Sequence, residues 1–214
     1  MAIPVLITGK SGSGKSASLR NLPREQTALI SVLGKPLPFR GALDTYVSDD
    51  YEKVKSAVAR SNRDVIVIDD AGYLMTNMFM RCHANPGKGG DIFSLYNNIG
   101  DSFWNLIQTI VTKPGNQRVY ILMHEEKNDM GDVKPKTIGK LVDEKVCLEG
   151  MFTICLRCKM SGGKHVFVTQ SDGFDTAKSP MDMFPTLEID NDLAAVDKAI
   201  CDYYEIGKEM KEAI

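Results

Sequence analysis

Two glycines five positions apart, with a lysine and a serine directly after the second, form the first chemically informative segment: Gly9-Lys10-Ser11-Gly12-Ser13-Gly14-Lys15-Ser16. Glycines let a backbone fold tightly around an anion with its N–H groups turned inward. In that setting Lys15 neutralises the β- and γ-phosphates of a nucleoside triphosphate, and the Ser16 hydroxyl is a Mg²⁺ ligand. Gly9 to Ser16, with Ala17 next, is therefore the candidate cofactor-binding segment, for ATP or GTP with Mg²⁺. The apolar run Ile3-Pro4-Val5-Leu6-Ile7-Thr8 ahead of it reads as a buried strand. A short helix is expected from about Ser16, stopped before Pro23, and its positive end would face the phosphates.

Carboxylates come next. Val65-Ile66-Val67-Ile68 is the clearest buried strand, and Asp69 ends it. There Asp69 would hold Mg²⁺ through water, opposite Ser16. Hydrolysis also needs a group that orients or activates water. Asp70 is adjacent, and Glu125 is placed just past the core strand Val119-Tyr120-Ile121-Leu122-Met123. His124 ends that strand, and ligands of parallel sheets bind at the carboxyl ends of strands, so it is a candidate γ-phosphate sensor.

Other reactive residues point nowhere in particular. Cys155-x-x-Cys158 lies on an expected strand and has no second ligand pair of matching spacing. Cys82-His83 is isolated, and Met75, Met78 and Met80 read as core filling. Lys134, Lys136 and Lys140 cluster after the His124 strand and, with Lys88, are candidate contacts to a nucleic-acid backbone. Glu125, Glu126, Asp129 and Asp132 lie just upstream and offset that charge.

The elements that must position these groups follow from pattern. Thr27 to Val32 reads as a strand, Gly34 to Pro38 as loop, and Tyr51 to Arg60 as a helix with Val54 and Val58 on one face. Asp49 or Asp50 would cap it. Arg81 to Gly90 is expected to be a mobile loop, and Asp91 to Thr112 a helix with one apolar stripe. Phe152 to Arg157 and His165 to Thr169 should pair as a hairpin through Ser161-Gly162-Gly163, and Leu193 to Lys211 should form a last helix. Strands alternating with helices mean an α/β fold with a mainly parallel sheet, helices on both faces and the hairpin at one edge.

The 214 residues are expected to form one domain, with 43% hydrophobic and 25% charged residues. A formal net charge of −2 gives no global attraction to nucleic acid or acidic membrane. Five scattered cysteines suit reduced thiols. No run reaches the length of a membrane span, and the apolar start lacks a basic leader, so a cytoplasmic location is expected.

In its ordered motifs the chain resembles the phage-encoded RecA-like AAA ATPases, a group that includes single-strand annealing ATPases. The resemblance runs through Ile7-Thr8-Gly9, Gly34-Lys35-Pro36-Leu37, Val67-Ile68-Asp69-Asp70 and Met123-His124-Glu125. It continues in Lys136-Thr137-Ile138-Gly139-Lys140, Glu149-Gly150-Met151-Phe152 and Asp175-Thr176-Ala177-Lys178-Ser179-Pro180. It implies a RecA-like P-loop NTPase core and a Mg²⁺-dependent ATPase acting on single-stranded DNA in phage recombination or replication, within a host bacterial cytoplasm. It also implies self-association into a ring or filament, with Lys178 reaching the nucleotide of a neighbouring subunit. One departure matters: RecA has a glutamate on the strand after the P-loop helix, whereas Thr27 to Val32 contains no acid, so slow hydrolysis is expected. The rival expectations are a nucleotide-switched binding or annealing module without turnover, and a small-molecule phosphotransferase.

Overall fold

The computed structural model describes residues 1–84, 91–139 and 145–207. Its centre is a sheet of nine strands among the described residues, in the order β3-β2-β4-β5-β1-β7-β8-β9, with β6 paired to β5. The strands are β1 (Ile3–Gly9), β2 (Thr27–Ser31), β3 (Asp44–Val47), β4 (Val65–Asp69), β5 (Arg118–Lys127), β6 (Val133–Pro135), β7 (Ile154–Ser161), β8 (Lys164–Val168) and β9 (Glu188–Asp190). The helices are α1 (Tyr51–Arg60), α2 (Gly72–Cys82), α3 (Ile92–Val111) and α4 (Leu193–Tyr203).

All neighbours from β3 to β7 run parallel, while β8 is antiparallel to β7 and β9 to β8. The core strands are apolar along their whole length because both faces are covered. Leu6, Ile66, Ile68, Ile121 and Met123 meet α1, α2 and α3 on one face. Val5, Ile7, Val67, Tyr120 and Leu122 meet Leu19, Leu22 and α4 on the other. Helix α3 buries Leu95, Ile99, Phe103, Leu106, Ile107 and Ile110 at helical spacing. Asp50, Asp91 and Asp192 each accept a backbone N–H at the start of α1, α3 and α4. Arg118 grips Asp197 of α4 with two hydrogen bonds of 2.9 Å, and the buried Tyr120 hydroxyl donates to the same carboxylate at 2.6 Å.

The expected α/β architecture and its edge hairpin are present, with several corrections. The segment after the glycine loop is a six-residue 3₁₀ turn, Ser16–Asn21, too short to act as a full helix dipole. Strand β5 continues to Lys127, so His124 and Glu125 lie on it and not beyond it. The stretch after it folds back as β6. Strands β3, β6 and β9 and helix α2 go beyond the expected elements, and the latter carries Arg81 and Cys82 of the expected loop. Met75 is fully buried, but Met80 is 60% exposed and fills no core gap. Among the described residues no helix is long and apolar enough to cross a membrane.

Candidate functional site

β1 ends between β5 and β7, and Gly9 lies directly opposite His124. Chain connections diverge on either side of β1, which opens a crevice beyond its carboxyl end. The glycine loop crosses that end beside a cavity of about 440 Å³. Ser11, Gly12, Gly14, Lys15, Ser16 and Ala17 line it from one side, and Asp69, Asp70 and His124 from the other. Gly9, Lys10 and Ser13 do not line it; they shape the loop. Lys15 Nζ donates to the carbonyl oxygens of Gly9 and Lys10 at 2.7 and 2.9 Å, so those carbonyls keep the ammonium inside the loop. Burial pushes the Lys15 pKa down, and the nearby Cys158 and carboxylates oppose that shift.

Two glycines are required by shape. A Cβ on Gly9 would stand 2.6 Å from the Cys158 carbonyl oxygen. Gly14 has φ +103°, and its Cβ would stand 2.8 Å from the His165 ring. The hairpin β7–β8 thus braces the loop from outside. Ser13 O accepts from Cys158 Sγ at 2.9 Å and lies 2.8 Å from His165 Nδ1, while Asn191 Nδ2 donates to that sulfur at 3.1 Å.

Ser16 Oγ donates to Asp69 Oδ1 at 3.0 Å. The two oxygens converge from segments 53 residues apart, and hard oxygen donors of this kind suit Mg²⁺. Ser16 and Asp69 are therefore the residues that would hold the ion, whose chemistry is to neutralise phosphate charge. Burial, then the charge of Asp70, raises the Asp69 pKa; a bound cation would favour its ionised form. Asp69→Asn keeps the phosphate cradle and removes that carboxylate. The expected result is a Mg²⁺ half-saturation point raised about 10–100-fold, read by titrating the ion against nucleotide binding. An unmoved midpoint would take Asp69 out of the metal site.

Asp70 is buried, with a left-handed φ of 60° that turns it toward the cavity at the end of β4. Such a backbone costs roughly 1–3 kcal/mol in a non-glycine residue, strain that functional sites commonly hold. Its carboxylate meets Lys35 Nζ at 2.5 Å and His124 Nε2 at 3.5 Å. Burial, then Lys15, lowers the His124 pKa, so the ring at neutral pH is an uncharged imidazole with one N–H to offer.

Glu125 is not free to activate water. Arg157 clamps it with bonds of 2.9 and 3.0 Å and reaches Asp175 at 3.2 Å with its other arm. The Glu125 and Asp175 side chains are 3% and 4% exposed. This tells against the expectation for Glu125, since Arg157 on β7 occupies both of its oxygens.

Lys178 pairs by backbone with Cys155, two hydrogen bonds of 2.8 Å, taking the place beside β7 that β8 holds further along that strand. Cys155 lies beside Leu6, three residues before Gly9, or about 10 Å below the loop. Lys178 thus does not line the nucleotide cavity of its own chain. Lys134 pairs with Glu126 at 3.5 Å, and Lys136 lines a second cavity, of about 380 Å³, next to His124 and Tyr73. Lys88 and Lys140 lie outside the described residues. Cys155 and Cys158 face opposite sides of the sheet, in its two separate cores, as an odd spacing on a strand dictates, so they cannot share a ligand. Among the described residues no cluster of three or more His, Cys, Asp or Glu could hold a metal.

Lys35 and His165 are the site residues that sequence reasoning missed. Lys35 carried a weak signal, a lysine between glycine and proline just past the carboxyl end of a parallel strand. His165 carried none, because only the folded hairpin brings it to Gly14.

A phosphate-wrapping loop at the end of a central parallel strand, with a serine–aspartate pair beside it, defines a P-loop nucleotide-binding protein. The family model described as AAA domain matches residues 1–181, and the chain belongs to that ATPase family. No curated protein matches it.

Proposed function

We propose that this chain is a Mg²⁺-dependent, RecA-like ATPase that couples slow ATP hydrolysis to single-stranded DNA in phage recombination or replication. The observation that carries the nucleotide chemistry is the Ser16–Asp69 contact of 3.0 Å beside a loop already wrapped around the Lys15 ammonium. With Glu125 clamped, Asp70 is the acid left to orient water, and His124 the neutral donor beside it. Support for DNA comes from Lys134 on β6 and Lys136 directly after it, whose backbone N–H donates to the His124 carbonyl oxygen of β5 at 2.8 Å, beside the nucleotide cavity. In a ring or filament, Lys178, bridged to Cys155 of β7, would be offered to the nucleotide of a neighbour, making turnover per subunit rise with protein concentration.

A second reading, a nucleotide-switched DNA-binding module without turnover, is favoured by one observation: both candidate acids are ion-paired, Asp70 by Lys35 and Glu125 by Arg157. Phosphate release, measured with and without single-stranded DNA, separates the two. The ATPase reading expects release that DNA accelerates, and the switch expects nucleotide-dependent DNA binding with no release. Replacing Lys134 and Lys136 by Ala should weaken DNA binding for all sequences alike. It should also flatten the slope of log affinity against log salt by about 0.7 for each DNA phosphate that a lysine no longer neutralises. An unchanged slope would leave the pair as ordinary solvated lysines.

A further inference from the structure

Lys35 stands on the connection between β2 and β3, and it lines both the nucleotide cavity and the second cavity beyond it. Ser11 and His124 are the other residues common to the two. The boundary between the cavities is thus where the loop entry, the β2–β3 connection and His124 of β5 converge. With Lys15 and the Ser16–Asp69 pair fixing the phosphate side, this is the place a terminal phosphate would reach. Gly34, with φ +64°, turns the chain there, and Pro36 and Pro38 stiffen the stretch after it, lining the same cavity. The backbone beneath Lys35 is therefore held, and its four-carbon side chain is the part that can swing.

The Lys35–Asp70 ion pair is lopsided. The lysine side chain is 57% exposed and the carboxylate 6% exposed. A buried acid on a strained turn has one position, whereas an exposed ammonium can exchange partners at little cost in packing. A triphosphate brings more negative charge to this boundary than Asp70 supplies. A diphosphate, one phosphate shorter, leaves Asp70 as the nearest anion.

We propose that Lys35 reads the γ-phosphate: it rests on Asp70 and transfers its ion pair to the terminal phosphate of a bound nucleoside triphosphate, freeing Asp70 beside His124. The exchange gives one chain a means of distinguishing triphosphate from diphosphate. It also places a cation at the terminal phosphate in cis, whatever Lys178 does across an interface. The inference rests on the nucleotide-binding reading of the same cavity.

Binding of ADP and of a non-hydrolysable ATP analogue, both with Mg²⁺, tests it by calorimetry on the full chain. Lys35→Met should weaken the triphosphate about 10–100-fold, the range of a charge-assisted hydrogen bond, and leave ADP within about twofold. Lys35→Arg should restore most of the difference. Unmasking Asp70 could by itself repel the triphosphate, so Lys35→Met is also combined with Asp70→Asn. A penalty that persists in the double variant assigns it to the missing bond between Lys35 and phosphate; one that vanishes assigns it to Asp70 and overturns the proposal. Amine acylation of the parent protein, read by mass spectrometry, gives a measure that needs no variant. Lys35 should be protected by the triphosphate analogue and not by ADP. Equal protection by both nucleotides, or equal weakening of both in Lys35→Met, would make the ion pair structural only. A parent chain that binds neither nucleotide would remove the nucleotide site itself and this inference with it.

Discussion

Lys15→Ala is expected to abolish nucleotide-dependent behaviour while the protein stays folded. The Lys15 side chain is enclosed by the loop and held by two carbonyl oxygens at its mouth. Removing it takes away the positive charge that meets the β/γ-phosphates in a site that water enters poorly. One such preorganised contact is worth about 10²–10³-fold in turnover, and its absence from the ground state costs nucleotide affinity about 10–100-fold. Stability should change little, because the burial that disfavours the charge offsets the loss of two bonds to loop carbonyls, the one to Gly9 buried and the one to Lys10 partly so. Calorimetric titration of ATP, phosphate release and a thermal melt check the three parts separately. A variant that binds and hydrolyses like the parent would show that the loop does not cradle phosphate.

Arg157→Met is expected to produce the largest loss of stability among substitutions outside the hydrophobic core. The guanidinium is the shared partner of two carboxylates that are almost wholly out of water. Methionine fills much of the volume but leaves Glu125 and Asp175 facing each other uncompensated. Breaking a buried charge pair from one side costs about 3–5 kcal/mol, or roughly 6–20 °C in Tm for a chain of this size. Adding Glu125→Gln and Asp175→Asn should return most of that loss, since the penalty is the stranded charge and not the missing arginine. A melt unchanged from the parent would mean that water reaches the triad freely. Because Arg157 lies opposite Thr8, one residue before the loop, nucleotide binding should weaken along with the fold.

Some of this was determined by the sequence alone. Gly9 to Ser16 and Asp69 are legible because their spacing carries a mechanism: phosphate binding needs backbone N–H groups, one ammonium and a hydroxyl in fixed order along one short segment. The strands Ile3–Gly9, Val65–Asp69 and Arg118–Lys127 are legible in their cores for a similar reason. A strand buried on both faces must be apolar at every position, and that pattern is local. Val54 and Val58 on α1, and the stripe on α3, follow from helical periodicity in the same way.

Tertiary structure alone decided which charges are free. Glu125 and Asp70 look alike in the sequence, as acids at the ends of neighbouring strands. Arg157, 32 residues beyond Glu125, claims it because β7 pairs with β1 and faces the same side. Lys35 claims Asp70 because β2, which leads into its connection, pairs with β4, which ends just before Asp70. His165 braces Gly14, 152 residues away from its hydrogen-bond partner Ser13, only after the hairpin has formed. A salt bridge depends on a few ångströms between side chains from distant segments, and sheet order, not local pattern, sets that separation. Phosphate recognition is written in one segment of this chain; the partners that decide what its acids can do are supplied by the fold.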